Sequence, residues 1–235
     1  MMENIEIKIL EFLKGLGTIL LYFVTMIIAS ILLADFYYHS NIVIATIAQI
    51  FVYVLLLVVL GALYHKRLIH DFKNFKKKYL KIALKNWIIG LGIMFICNII
   101  VSSFSGDIAT NEEANRNLIA LYPVSSIITM VFLGPLVEEI TFRASFKKAF
   151  SKWYVFAIVT AFIFGSAHIS NFFLLLSHGT FNWQELLYLF PYSALGFFFA
   201  KAFYETDNIY TSYFAHMFHN ALCVILLLLL SLIGG

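Results

Sequence analysis

Charge is what this chain has least of. Asp, Glu, Lys and Arg make up 12% of its 235 residues, about half of the ~25% usual in a soluble domain. Hydrophobic residues make up 62%. That balance excludes a soluble globular protein and points to one membrane-embedded domain spanning residues 1–235. Cysteine is nearly absent. Cys97 and Cys223 both lie in apolar runs and read as small membrane-buried side chains, which excludes a disulfide framework. There is no Walker A loop, no GxGxxG and no CxxC pair, so nucleotide-phosphate and dithiol chemistry have no carrier here. No basic–aromatic signature for nucleic acid is present either, and no nucleic-acid partner is expected. The first apolar run is not followed by a small-residue cleavage pattern, so it is read as a retained helix.

What is present is a series of long hydrophobic stretches. They predict an all-α, polytopic membrane helix bundle of about seven spans, within a range of six to eight. The spans run roughly over 16–33, 42–64, 87–104, from 124 to the glutamates near 139, 153–176, 186–203 and 209–233. The charged lead 1–14 is expected to lie as an interfacial helix. A turn with Asp35, His39 and Asn41 joins spans one and two, and the loop after span three carries Asp107, Glu112 and Glu113. The basic segment 65–85 holds Lys66, Arg67, Lys73, Lys76, Lys77, Lys78, Lys81 and Lys85. It reads as a cytoplasmic loop obeying the positive-inside rule, or as a site for anionic lipid or a partner. With seven spans and the N-terminus inside, every Lys and Arg except Arg116 falls on the cytoplasmic side. The expectation is a multi-pass protein of the cell membrane, in contact with lipid, with a cytoplasmic N-terminus.

Three sets of polar groups interrupt the apolar runs. Glu138, Glu139 and Arg143 close span four, at an insertion cost of at least about 2.5–3.5 kcal/mol each at the bilayer centre. Glu139 and Arg143 are at i, i+4 and can pair. Glu138 is turned about 100° away on a helix, which leaves one carboxylate free to act as a general base. The bland alternative is a salt-bridged helix end. His168 lies inside span five, after Gly165, Ser166 and Ala167, where small side chains let a neighbouring helix approach. Taken alone, it is also a histidine hydrogen-bonding across a helix interface. His216 and Asn220 share a face of span seven, with His219 beside them. They suit stabilising an oxyanion, or interhelical hydrogen bonding. Together the sets supply a carboxylate, a histidine and a His/Asn pair from three spans, the groups needed to activate water and hold a carbonyl oxygen.

At these residues the chain resembles the CPBP intramembrane proteases, the family of CAAX-type prenyl endopeptidases and bacteriocin-processing or self-immunity proteins. The family motifs E-E-x-x-x-R, F-x-x-x-H and H-x-x-x-N occur in that order as Glu138–Arg143, Phe164–His168 and His216–Asn220, within residues 124–229. The resemblance implies that Glu138 and His168 activate water, that His216 and Asn220 form the oxyanion hole, and that Glu139 and Arg143 support the site. The substrate implied is a membrane-associated peptide or protein. No cofactor is favoured. Zn²⁺ held by Glu138, His168 and His216 is the alternative within the family, although the spacing is not H-E-x-x-H. Two other classes stand beside the protease. One is a non-catalytic membrane scaffold or immunity protein on the same fold. The other is an ion-coupled transporter, for which no internal repeat is found in the sequence.

Overall fold

The computed structural model describes the backbone of residues 2–39, 41–106 and 108–233, and the side chains of 5–32, 41–106 and 108–229. The side chains of Glu3, Asp35 and His39, and all of Asp107, lie outside the described residues. The described residues form helices α1 (Met2–His39), α2 (Ile42–Lys73), α3 (Lys78–Ser105), α4 (Thr110–Leu121) and α5 (Pro123–Ser126). A π-helical segment, Ile127–Leu133, leads into α6 (Gly134–Phe142) and a short 3₁₀ turn (Ala144–Phe146). Then come α7 (Trp153–His168), α8 (Ser170–Ser177), α9 (Trp183–Leu187), α10 (Leu189–Thr206) and α11 (Ile209–Ile233). No strand occurs among the described residues.

The protein is therefore an all-helical, multi-pass membrane protein. Six described helical units are long and apolar enough to cross a bilayer, and α7 with α8 makes a seventh if that bent pair is counted as one span. The ends follow local chemistry. The Asn41 side chain accepts from the backbone N–H groups of Val43 and Ile44 and starts α2. Gly106, at φ 71°, closes α3 in the left-handed region. On α2, Ala45, Gln49, Val52, Leu56 and Leu60 recur every three or four residues and are buried, while Ile47 and Val58 face outward. α10 sits at the centre and packs against α7, α3 and α11.

Several expectations need correction. The described part of the lead, 2–14, is not a separate interfacial helix; it is the first part of α1, because nothing in it breaks the helix. The basic segment is not an extended loop either. α2 runs on to Lys73, a tight turn covers 74–77, and α3 starts at Lys78. Span five is not straight. It breaks after His168, where α8 turns away by 64°, so His168 closes α7 at a bend inside the span.

The basic end also fixes α11. The buried Asp71 carboxylate accepts from Arg67 Nε at 2.7 Å and from the Ile209 backbone N–H at 2.8 Å. Asn208 Nδ2 donates to Asp71 O at 2.6 Å. The C-terminal turn of α2 thus caps the first turn of α11 and sets the position of His216, two turns further on.

Candidate active site

Glu138, Glu139 and Arg143 project from α6, and what precedes α6 decides how they point. Gly134 N donates to Thr129 O, an i→i+5 bond. A Cβ on Gly134 would sit 2.8 Å from that oxygen, so the π turn requires glycine here. Pro135 follows and has no N–H to continue the ladder. In that register its acceptor would be Met130 O. That carbonyl instead accepts Asn220 Nδ2 of α11 at 2.7 Å. A wide turn of this kind is often found at functional sites, and here it is tied to the helix bearing the His/Asn pair.

Glu139 and Arg143 do pair. Arg143, fully buried, donates from Nη1 to Glu139 Oε1 at 3.1 Å and from Nη2 to Gly196 O of α10 at 3.1 Å. Its guanidinium lies over the Phe164 ring, 4.3 Å from the centroid. A Cβ on Gly196 would meet Phe164 Cδ1 at 2.8 Å and Arg143 Nη2 at 3.2 Å, so this approach also needs glycine. Glu139 Oε1 accepts in turn from His216 Nδ1 at 3.0 Å. The His216 ring stacks on Phe199, with 4.7 Å between centroids and 22° between planes.

The other histidine is held in the same way. His168 Nδ1 donates to Phe164 O at 2.8 Å, since a carbonyl can only accept. Its ring faces Tyr192, with 4.8 Å between centroids, and the Tyr192 hydroxyl accepts from Asn111 Nδ2 of α4. Both imidazoles, with Nδ1 committed as donor, turn Nε2 towards Glu138. His168 Nε2 is 3.9 Å and His216 Nε2 3.8 Å from Glu138 Oε2, and that carboxylate oxygen is buried with no hydrogen-bond partner. Neutral rings in these tautomers bring three acceptors together with no donor among them. A water about 2.8 Å from two of them fits separations of this size.

Glu138, His168, His216 and Asn220 all line one cavity of about 580 Å³, a size that suits a substrate side chain and its backbone. The Gly165–Ala167 approach is also present. A Cβ on Gly165 would collide with Ser193 Oγ of α10. Asn220 differs from expectation in one respect, because one amide N–H is spent on Met130 O and only the second remains for the cavity. Sequence reasoning missed part of the wall. Tyr22, Met26 and Ile27 of α1, with Asn111 and Asn115 of α4, line the cavity, and nothing in their apolar or amphipathic patterns marks them. His219 and Cys223 also line it, with Cys223 Sγ 3.6 Å from His219 Nε2.

Glu138, His168 and His216 suit Zn²⁺ in kind, as a carboxylate and two imidazoles whose Nδ1 atoms are anchored. In spacing they are wide. Bonds of about 2.0–2.1 Å in a tetrahedron put ligand atoms ~3.4 Å apart, so closing on the 3.8 and 3.9 Å separations requires contraction by about 0.4–0.5 Å. Among the described residues no group of three or more His, Cys, Asp or Glu is placed to hold a metal.

Fold and site together define a multi-pass membrane protein with a Glu/His cluster in a largely apolar cavity. Residues 120–222 match the family described as Type II CAAX prenyl endopeptidase Rce1-like, and the resemblance carried by the three motifs is thereby borne out. The chain is similar to a protein of Mycoplasma capricolum that carries no functional name, 28% identical over 67% of this chain and 46% of that protein. It is also similar to YdiL of Bacillus subtilis, named as a candidate membrane peptidase, 28% identical over 49% of this chain and 42% of that protein. The chain thus spans less than half the length of these curated relatives. No solved structure matches it.

Proposed function

We propose that the protein is an intramembrane endopeptidase that hydrolyses a peptide bond of a membrane-associated peptide or protein. One observation carries the reading. Three acceptor atoms, Glu138 Oε2 and the two Nε2 atoms, face one another inside a cavity. A water between them would donate its protons to two acceptors and keep its lone pairs for attack. Glu138 takes the proton as the water oxygen bonds to the substrate carbonyl carbon. His168 orients the water. The second N–H of Asn220 faces the developing oxyanion, while neutral His216, its Nδ1–H spent on Glu139, helps hold the water through Nε2. Glu138 then returns the proton to the leaving nitrogen as the C–N bond breaks. Glu139, held by Arg143, keeps His216 in its tautomer.

We favour this route without a metal. Zn²⁺, when bound by Glu138, His168 and His216, would supply Lewis acidity and a more acidic water. The family match and the peptidase naming of the Bacillus relative support the protease class, and the Lys/Arg distribution supports a cytoplasmic N-terminus in the cell membrane. The printed names of the relatives say nothing of bacteriocin immunity.

The test is a proteoliposome assay with a library of single-span peptides read by mass spectrometry. Wild type is expected to yield new peptide ends, while inserted, folded Glu138→Gln and His168→Ala yield none. Equal products from Glu138→Gln and wild type would overturn the proposal. No cleavage by any form, with partner capture by all, would favour the scaffold class.

A further inference from the structure

A second, smaller cavity lies outside the Glu/His site. It has a volume of about 370 Å³ and is lined by Ser105 and Thr110 of the α3–α4 region, by Glu113 of α4, and by Asn182, Glu185 and Tyr188 around α9. Apart from Ile108, every side chain lining the space offers oxygen. Two are carboxylates, and no lysine or arginine lines the space. Between Asn86 and Phe142 the sole Lys or Arg is Arg116, and it is paired with Glu112.

Glu185 is the unusual member. It is 5% exposed. Its Oε2 accepts a 3.3 Å bond from the Thr110 backbone N–H, but its Oε1 is buried with no hydrogen-bond partner. A buried carboxylate oxygen left without donor or counter-charge is costly. It persists where something outside the chain compensates it. Hard oxygen donors, a buried carboxylate, a second carboxylate and amide and hydroxyl oxygens are the ligand set of Ca²⁺, which takes six to eight oxygens in a flexible shell and completes it with water. Two carboxylates fit a weak site better than a tight one, since affinity rises with ligand charge.

The place in the fold agrees. α3 is 28 residues long, about 42 Å at 1.5 Å per residue. It has the lysine-rich turn at its start and this cavity at its end, so the two lie at opposite membrane faces. The cavity also adjoins a cluster in which Tyr188 packs with Ile169, Phe172 and Val101, and Tyr192 packs against it. Ile169 follows His168 in sequence and Tyr192 faces its ring.

We propose that Glu185 and Glu113, with the neutral oxygens around them, bind Ca²⁺ and thereby fasten the α3–α4 link to α9 behind the His168 wall. The site is separate from the Glu138 chemistry, and its test needs no activity.

Tb³⁺ is a luminescent stand-in for Ca²⁺, and Tyr188 in the lining can sensitise it. Purified full-length protein in metal-free detergent is titrated with Tb³⁺, and the signal is then competed with Ca²⁺. The expected result is saturable, tyrosine-excited luminescence displaced by millimolar Ca²⁺ and reduced at least tenfold in Glu185→Gln. Ca²⁺ is also expected to raise the melting temperature of wild type but not of Glu185→Gln. Glu185→Gln keeps a side chain of nearly the same size, and an unchanged metal-free melting temperature shows that it folds. A second variant, Glu113→Gln, is expected to weaken binding several-fold and to keep it measurable. Equal Tb³⁺ signals from wild type and Glu185→Gln, or a signal that Ca²⁺ does not displace, would overturn the proposal.

Discussion

Asn220 offers a prediction that follows from the backbone alone. Pro135 cannot donate into the wide turn before α6, and Asn220 Nδ2 serves Met130 O instead. In Asn220→Ala that carbonyl loses its partner. A buried polar group left unpaired costs roughly 1–3 kcal/mol, and the partly buried setting of this one puts the loss near the bottom of that range, about 1 kcal/mol. Pro135→Ala restores an N–H in the register of the same acceptor. In that background Asn220→Ala is expected to cost less, with a coupling of about 0.5–1 kcal/mol, above the ~0.3–0.5 kcal/mol within which independent sites add. The assay is a double-mutant cycle on unfolding free energy in mixed micelles, read by steric trapping. An additive cycle, or no loss of stability in Asn220→Ala alone, would refute the account. The cycle also separates roles. If the second N–H of Asn220 holds an oxyanion, the double variant regains stability while turnover stays down by about 10²–10³.

Further outcomes follow from the same geometry. Glu139→Gln leaves the fully buried Arg143 without its carboxylate, and a loss of about 3–5 kcal/mol is expected from chemical unfolding. Gly165→Ala places a methyl against Ser193 Oγ and is expected to cost about 1–3 kcal/mol, part of which Ser193→Ala restores, measured by melting temperature in detergent. Chelated protein, verified free of zinc by elemental analysis, is expected to retain full cleavage. Strict dependence on added Zn²⁺ would assign Glu138, His168 and His216 to the metal instead.

The helical, membrane-spanning nature of the chain was legible because apolar runs of span length are rare outside a bilayer. The gathering of the candidate site was legible for a related reason. Glu138, His168 and His216 stand in those runs at a cost that packing alone does not offset, and the i, i+4 spacing of Glu139 and Arg143 foretold their ion pair. Which helices would wall the cavity was not legible. α1 contributes Tyr22 and Met26, but an apolar helix reads alike whether it faces lipid or a cavity. The 64° bend after His168 was hidden because residues on both sides are hydrophobic, and hydropathy carries no angle. The wide turn at Ile127–Leu133 left one faint sign, Gly134 followed by Pro135 inside a span. Its meaning depends on a carbonyl and an asparagine 90 residues apart, which no local pattern links.

The central claim is that water placed between Glu138 and two imidazoles is added across a peptide bond. Membranes carrying wild type or Glu138→Gln can be incubated in H₂¹⁸O, and the newly formed peptide C-termini read by mass spectrometry. The account predicts ¹⁸O in carboxyl termini that appear with wild type and are missing with an equal amount of folded Glu138→Gln. Identical sets of labelled termini from the two proteins would contradict it.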